Sequence, residues 1–258
     1  MKEPVKITKY REGKPEEIDD VAAVEVPLTI VLNEEQLITL LCSPDKMDFL
    51  AIGFLLSEGF ISSKEDIESI LLDKKITTVR IKIKDIKKVE IETIFGRRII
   101  TSGCGKGMTF FDYKDFSQCR NNESQIKISA DKILSLINEF QKKSELFKET
   151  GGVHSAALSD GEKILLFAED LGRHNALDKI FGEALWEGVG LRDRLLLTSG
   201  RLTSEIVIKA LKRDVPIIVS PSAPTDLAIR IAQEMGMTLV GFARGKRMNV
   251  YSAKDRIM

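Results

Sequence analysis

The sequence predicts an α/β protein: an α/β/α sandwich on a mixed sheet over residues 126–258, with a smaller α+β unit over residues 1–125. Three observations lead there. Strand-like and helix-like runs alternate through the second half, the pattern of a sheet covered by helices. The first half holds several short β-branched runs around one strongly apolar helix. Between the two, residues 101–125 break the periodicity with a glycine-rich loop and the polar stretch Gln118 to Gln125, which places the junction there.

Lys6 to Tyr10 and Pro15 to Ile18 read as strands on either side of an Arg11-Glu12-Gly13 turn. Val24 to Leu32 is an apolar, β-branched run, and Leu37 to Leu41 returns antiparallel after a polar turn at Asn33 to Gln36. A helix follows. Ser43 is its expected N-cap, Pro44 stands at the first helical position, Asp45 lies in the first turn, and Gly59 stops it. Phe49, Ile52, Phe54, Leu55 and Leu56 make it apolar on most sides, so it is expected to be buried. Thr78 to Ile83 and Val89 to Ile94 alternate strictly, as half-buried strands do.

Beyond the junction, Ser129 caps a helix with Ile133, Leu136, Ile137 and Phe140 on one face. Val153 to Leu158 and Lys163 to Phe167 form a hairpin around Ser159-Asp160-Gly161. Asn175 to Trp186 is helical, with Leu177, Ile180, Phe181, Ala184 and Leu185 inward. Then come a strand at Arg194 to Thr198, a helix at Thr203 to Arg213, a strand at Val215 to Val219, a helix at Thr225 to Met235 ended by Gly236, and a strand at Thr238 to Ala243.

The composition, 43% hydrophobic and 30% charged, excludes a disordered or fibrous chain. Thirty-nine Lys and Arg balance 39 Asp and Glu, so no basic excess supports non-specific binding of nucleic acid. No apolar run approaches the roughly 18 residues needed to span a bilayer. The N-terminus, MKEPVKITKYREGK, lacks the apolar stretch of a signal peptide, so the expected location is cytoplasmic. Cys42, Cys104 and Cys119 are widely spaced and odd in number, which excludes a disulfide framework. With only His154 and His174 besides, no spacing suggests a protein-bound metal.

Two places can carry chemistry. Cys104 lies in Ser102-Gly103-Cys104-Gly105-Lys106-Gly107. Glycines leave it sterically open, and Lys106 with nearby backbone N–H groups favours the reactive thiolate. The alternative is a glycine-rich turn with an incidental cysteine. A phosphate-binding P-loop fails, because Ile100 and Gly107 occupy positions that need glycine and Ser or Thr. Cys42 reads as a small buried hydrophobe and Cys119 as incidental.

The second place is the set of strand ends in the second half. Ligands of such sheets bind beyond the carboxyl ends of strands, where helix N-termini attract anions. Thr198-Ser199-Gly200-Arg201, the loop from Ser220 to Pro224, and Phe242-Ala243-Arg244-Gly245-Lys246-Arg247 converge there in this reading. Their cations and hydroxyls suit a phosphate-rich ligand, and Phe242 can stack on a base. Solvated surface charge is the alternative. Arg173 and His174, at a helix start, can face the same rim. His154, like His174, lies close to an element end, and each is more often structural than catalytic.

These residues form an ordered set that resembles one family. Glu25-Val26-Pro27-Leu28, Gly53-Phe54-Leu55-Leu56-Ser57-Glu58-Gly59, the Cys104 loop, Gly151-Gly152-Val153-His154-Ser155-Ala156, Glu169 to Lys179, Thr198 to Arg201 and Phe242 to Arg247 together resemble the formate dehydrogenase accessory sulfurtransferase family (FdhD/NarQ). The resemblance spans nearly the whole chain. It implies a cytidine-deaminase-like fold for residues 126–258. It implies that Cys104 takes persulfide sulfur from a cysteine desulfurase and delivers it to the molybdenum or tungsten bis-molybdopterin guanine dinucleotide cofactor of formate dehydrogenase. It implies that Ser199, Gly200, Arg201, Ser220, His154, Arg173 and Phe242 to Arg247 bind that cofactor, with GDP as a mimic, and that the chain is a homodimer working with the formate dehydrogenase catalytic subunit. Thr101 stands where the family loop carries a first cysteine of a C-x-x-C pair, so Cys104 acts alone. Two rivals follow. A zinc nucleoside deaminase lacks its motifs here, since His154-Ser155-Ala156 has no glutamate and Pro221-Ser222-Ala223-Pro224 has no cysteine. A non-catalytic chaperone that docks the cofactor is the serious alternative.

Overall fold

Alternating residues give the second half two apolar sheet faces, and each face needs a cover. The computed structural model, which describes residues 1–84 and 121–258, provides both. Its six-stranded sheet comprises β7 (His154–Ser159), β8 (Ile164–Asp170), β9 (Leu195–Thr198), β10 (Ile217–Val219), β11 (Thr238–Arg244) and β12 (Arg247–Ser252), in the order β12-β11-β10-β9-β7-β8. β9, β10 and β11 are parallel, while β7, β8 and β12 pair antiparallel with their neighbours. Ala157, Leu195, Leu197, Ile217 and Val219 pack on one face against Ile133, Leu136, Ile137 and Phe140 of α2 (Ala130–Lys143). Ala156, Leu158, Leu196 and Ile218 pack on the other face, in a core shared with α4 (Arg173–Glu187), α5 (Ser204–Leu211) and α6 (Asp226–Glu234). The layers are therefore helix, mixed sheet, helix. A short helix, α3 (Glu145–Thr150), follows α2.

The same apolar core continues into the first half. There a four-stranded sheet of order β4-β3-β6-β5 is built from β3 (Val26–Leu32), β4 (Glu35–Cys42), β5 (Ile67–Asp73) and β6 (Thr78–Ile83). Asn33 and Glu34 turn β3 into β4 with positive φ at both, the two-residue turn that suits the strand twist. α1 (Met47–Glu58) packs against this sheet and against α4. The α1–α4 crossing is very close. A Cβ on Gly53 would lie 1.8 Å from the Asp178 carbonyl oxygen, and one on Gly182 would lie 2.0 Å from that of Phe49. Only glycine permits this approach of two backbones.

Several elements differ from expectation. The first hairpin is longer, with β1 (Lys2–Arg11) and β2 (Lys14–Ala23) in full register. α3, β5 and β12 were not legible. Ser43 does not cap α1, which starts at Met47 after Lys46 in a left-handed conformation. Instead the Ser43 N–H donates to Asp170 Oδ2 at 3.1 Å, and its hydroxyl reaches that oxygen at 3.1 Å. A buried carboxylate commands these donors more strongly than a helix end several residues away. The segment Phe242 to Arg247 is a β-hairpin and not an open loop, with Arg244 paired to Arg247 and β12 returning along β11. The strand expected at Val89 to Ile94, with Cys104 and Cys119, lies outside the described residues.

Candidate functional site

Parallel β9, β10 and β11 end on one rim, and antiparallel β7 begins there. Backbone and side-chain hydrogen bonds stitch the loops of that rim together. Ser220 Oγ donates to the Gly200 carbonyl at 2.7 Å, and the Ala243 N–H donates to the Ser220 carbonyl at 3.0 Å. The Phe242 N–H donates to the Ser222 carbonyl at 3.0 Å, and Arg244 Nε donates to the Pro221 carbonyl at 2.7 Å. The three loops are thus one continuous surface.

His154 and Arg173 join it. Ser199 Oγ accepts from the Ser155 N–H at 3.0 Å and lies 3.3 Å from His154 Nδ1. Arg173, in the first turn of α4, lies over Gly200, where a Cβ would come within 3.0 Å of Arg173 Cδ. Arg173 Nε and Nη2 are buried and have no partner among the described residues. Buried donors are normally satisfied, so two orphaned guanidinium nitrogens on a rim ask for an acceptor. His174 Nδ1 and Thr203 Oγ1 are likewise buried without a partner there.

Not every expected residue presents its side chain. Ala243 is fully buried in the core, and it contributes backbone only. Arg201, Gly245, Lys246 and Arg247 are exposed. Phe242 is 39% exposed at φ +52°, so its ring is open to solvent.

The profile of the FdhD/NarQ family matches residues 23–258. The chain belongs to the FdhD/NarQ family. The sulfur carrier protein FdhD of Bacillus subtilis (strain 168) is 41% identical over 251 residues, covering 97% of this chain and 95% of that one. That of Listeria innocua is 40% identical over 254 residues, covering 98% and 97%. The crystal structure of a candidate formate dehydrogenase accessory protein from Desulfotalea psychrophila superposes with a TM-score of 0.82 at 26% identity, covering 100% of this chain and 99% of that one.

The motif from Glu169 to Lys179 in this FdhD/NarQ chain carries two buried ion pairs. Lys179 Nζ lies 2.7 Å from Asp170 Oδ2, with both side chains 0% exposed. Lys179 also donates to Ser43 Oγ at 3.0 Å and to the Glu169 carbonyl at 3.1 Å. Asp170 Oδ1 accepts from the Gly172 N–H at 3.0 Å and Asn175 Nδ2 at 2.9 Å. The carboxylate therefore fixes the turn that presents Arg173. One helical turn on, Asp178 pairs with Lys209 at 2.7 Å and accepts from Ser57 Oγ at 2.6 Å. Burial pushes the Asp178 carboxyl up, while Lys209 and Ser57 oppose that. These supports were missed from sequence. Their signal was there, as charged residues within an otherwise apolar helical pattern around Leu177, Ile180 and Phe181.

Burial, with the charges of Lys209 and Arg173, pushes His174 down to about 3. Burial and Arg173 lower His154 as well. Both are therefore neutral at pH 7. His174 Nε2 lies 3.2 Å from Glu205 Oε2, a close approach outside hydrogen-bond geometry. Because the folded His174 resists the proton that the unfolded chain binds near its ordinary 6.5, its contribution to stability is intact above that pH. It is lost as pH falls from 6.5 towards 3. Urea unfolding against pH should show an acid slope of at most ~1.4 kcal/mol per pH unit from this group, and His174→Asn should flatten it. An identical slope in that variant would contradict the assignment.

Among the described residues no helix is long and apolar enough to cross a membrane, and no cluster of three or more His, Cys, Asp or Glu could hold a metal ion.

Proposed function

We propose that this chain is a sulfur carrier of the formate dehydrogenase system. In this reading Cys104 takes sulfur from a cysteine desulfurase and passes it to a molybdenum or tungsten bis-molybdopterin guanine dinucleotide bound at the rim. The single observation that supports the ligand half best is the pair of buried, unpartnered Arg173 nitrogens on a surface built from three strand ends. A guanidinium fork without an acceptor fits phosphate. The names of the Bacillus and Listeria relatives support the carrier half. A mixed sheet between helix layers supports the deaminase-like reading of residues 126–258, without deaminase chemistry.

The first transfer balances without a cofactor. The Cys104 thiolate attacks the outer sulfur of the desulfurase persulfide. That S–S bond breaks, the desulfurase thiolate leaves with the electron pair, and Cys104 becomes the persulfide. Delivery of the sulfur as sulfide takes two electrons, which a second thiol supplies by forming a disulfide with Cys104. Thr101 in place of a neighbouring cysteine means that this thiol comes from outside the loop. The same substitution favours the second reading, a chaperone that docks the cofactor without carrying sulfur. Mass spectrometry after incubation with a desulfurase and cysteine separates them: the carrier gains one sulfur on Cys104, and the chaperone does not.

Binding at the rim is tested by calorimetry with GDP. One charge-assisted bond to phosphate contributes about 1.5–3 kcal/mol. Arg173→Met, which keeps the packing on Gly200, should therefore weaken GDP roughly tenfold to a hundredfold, and Arg247→Ala should do so if it reaches a phosphate. Unchanged affinity in both variants would show that the rim is ordinary surface. Arg244 is a poorer probe, because its Nε already holds the Pro221 carbonyl.

A further inference from the structure

A cavity lies at the end of the sheet opposite the rim. It is found at the amino ends of the parallel strands, where Leu191 and Arg192 lead into β9 and Arg213 and Asp214 lead into β10. Three helices finish there. α1 contributes Leu56, α4 contributes Phe181 and Leu185, and Arg213 follows α5. α4 begins at Arg173 on the rim and is about 22 Å long, so the cavity is a separate place. Its volume is about 330 Å³, at the small end of the range for pockets that hold small molecules.

Its lining combines an apolar wall with cations. Leu56, Phe181, Leu185 and Leu191 supply the wall, and Arg192 and Arg213 supply positive charge. Cations near helix C-termini ordinarily serve the last carbonyls. Here the helix ends close on backbone. The Gly59 and Phe60 N–H groups donate to the Leu56 and Leu55 carbonyls, those of Gly188 and Val189 to Leu185 and Ala184, and that of Val215 to Ala210. Arg213 adds one bond, from Nη2 to the Leu56 carbonyl. Its Nε is buried and has no acceptor among the described residues. Asp178, whose charge it feels, is already paired with Lys209 at 2.7 Å. Burial pushes the guanidinium below its ordinary value, and Asp178 and Asp214 do not fully offset that. A buried donor is normally satisfied, so this one asks for an acceptor from within the cavity.

We infer that this cavity is a second ligand site, for a small anion with a compact apolar body, such as a medium-chain or aromatic carboxylate. The anionic group meets Arg213 Nε and Arg192, and the apolar body lies against Phe181, Leu185 and Leu191. Arg192 and Arg213 repel a cation of the same shape. A neutral apolar molecule leaves Arg213 Nε without an acceptor, which costs it affinity. The site goes beyond the sulfur-carrier reading and does not depend on it.

Anilinonaphthalene sulfonate, an anion on an aromatic body, is the probe for the full chain, because its fluorescence rises against an apolar wall. Saturable binding at a single site is expected, displaced by octanoate and not by octylammonium or GDP. The first two competitors share a tail and differ in charge, and GDP reports the rim. Arg213→Met removes the open donor and should weaken the probe roughly tenfold to a hundredfold. That variant also loses the bond to the Leu56 carbonyl, so circular dichroism checks its fold. Arg192→Glu is the second variant. Arg192 is exposed, so the change leaves the packing alone, and a carboxylate at the cavity should weaken the probe severalfold. No saturable binding, displacement by GDP, displacement by octylammonium as effective as by octanoate, or unchanged affinity in Arg192→Glu overturns the proposal.

Discussion

Replacing Cys104 with alanine is expected to reduce activation of a client formate dehydrogenase to background while leaving the protein folded. The expectation rests on the proposed carrier role, in which one thiolate accepts and releases every sulfur atom. No other described thiol can substitute. Cys42 is fully buried in the core, within reach of the Asp170 charge. Burial first, and then the Asp170 charge, pushes its thiol up to about 12, so almost none is thiolate at neutral pH. Limiting alkylation at pH 7 should therefore label Cys104 first and Cys42 last. Cys104→Ala should keep the wild-type unfolding midpoint, which separates lost chemistry from lost structure. Full activation by the alanine variant, or an inert Cys104 beside a rapidly labelled Cys119, would remove the carrier role. A variant that still binds GDP but activates nothing would place the defect in sulfur transfer and not in the rim.

The sequence was most legible where one local rule decided the outcome. Ser129 caps α2, accepting from the Lys132 N–H, and Gly59 closes α1 in a left-handed conformation. Alternation located β6, because a half-buried strand cannot hide its period. The rim was legible for a topological reason. Parallel strands joined by helices end together, so loops at 198–201, 220–224 and 242–247 had to meet. Two kinds of feature were not legible. Ser43 looked like a cap, yet Asp170, distant in sequence, takes its donors. Nothing within a few residues of Ser43 announces that partner. Likewise the turn after β11 read as an open basic loop, since β12, with Arg247, Asn249 and Ser252, is too polar to stand out as a strand. Non-local charge pairs and edge strands share this property: their stabilising partner is elsewhere in the chain.

The largest effect on stability is expected at the α1–α4 crossing. An alanine at position 53 would place its Cβ 1.8 Å from the Asp178 carbonyl oxygen, and one at position 182 would place it 2.0 Å from the Phe49 carbonyl oxygen. Both neighbours are helix backbone, which cannot swing aside as a side chain can, so the helices must separate along the crossing. Separation opens voids around Leu50, Phe54, Leu177 and Phe181, all of which are at most 4% exposed. Overpacking alone costs typically ~1–3 kcal/mol, and lost contacts on both helices add to it. Gly53→Ala or Gly182→Ala should therefore destabilise the protein by about 4 kcal/mol or more in urea unfolding, a size reserved for identifiable structural causes. The double variant should cost less than the sum, because one separation of the helices relieves both clashes. The consequence extends to the rim. α4 carries Gly182 and Asp178 in its body and Arg173 at its start, and Asp178 also holds Ser57 of α1. Displacing α4 shifts Arg173 relative to Gly200, so any Gly53→Ala protein that remains folded should bind GDP more weakly than wild type. A loss of stability under about 1 kcal/mol in both single variants would mean that the crossing is looser than its geometry states.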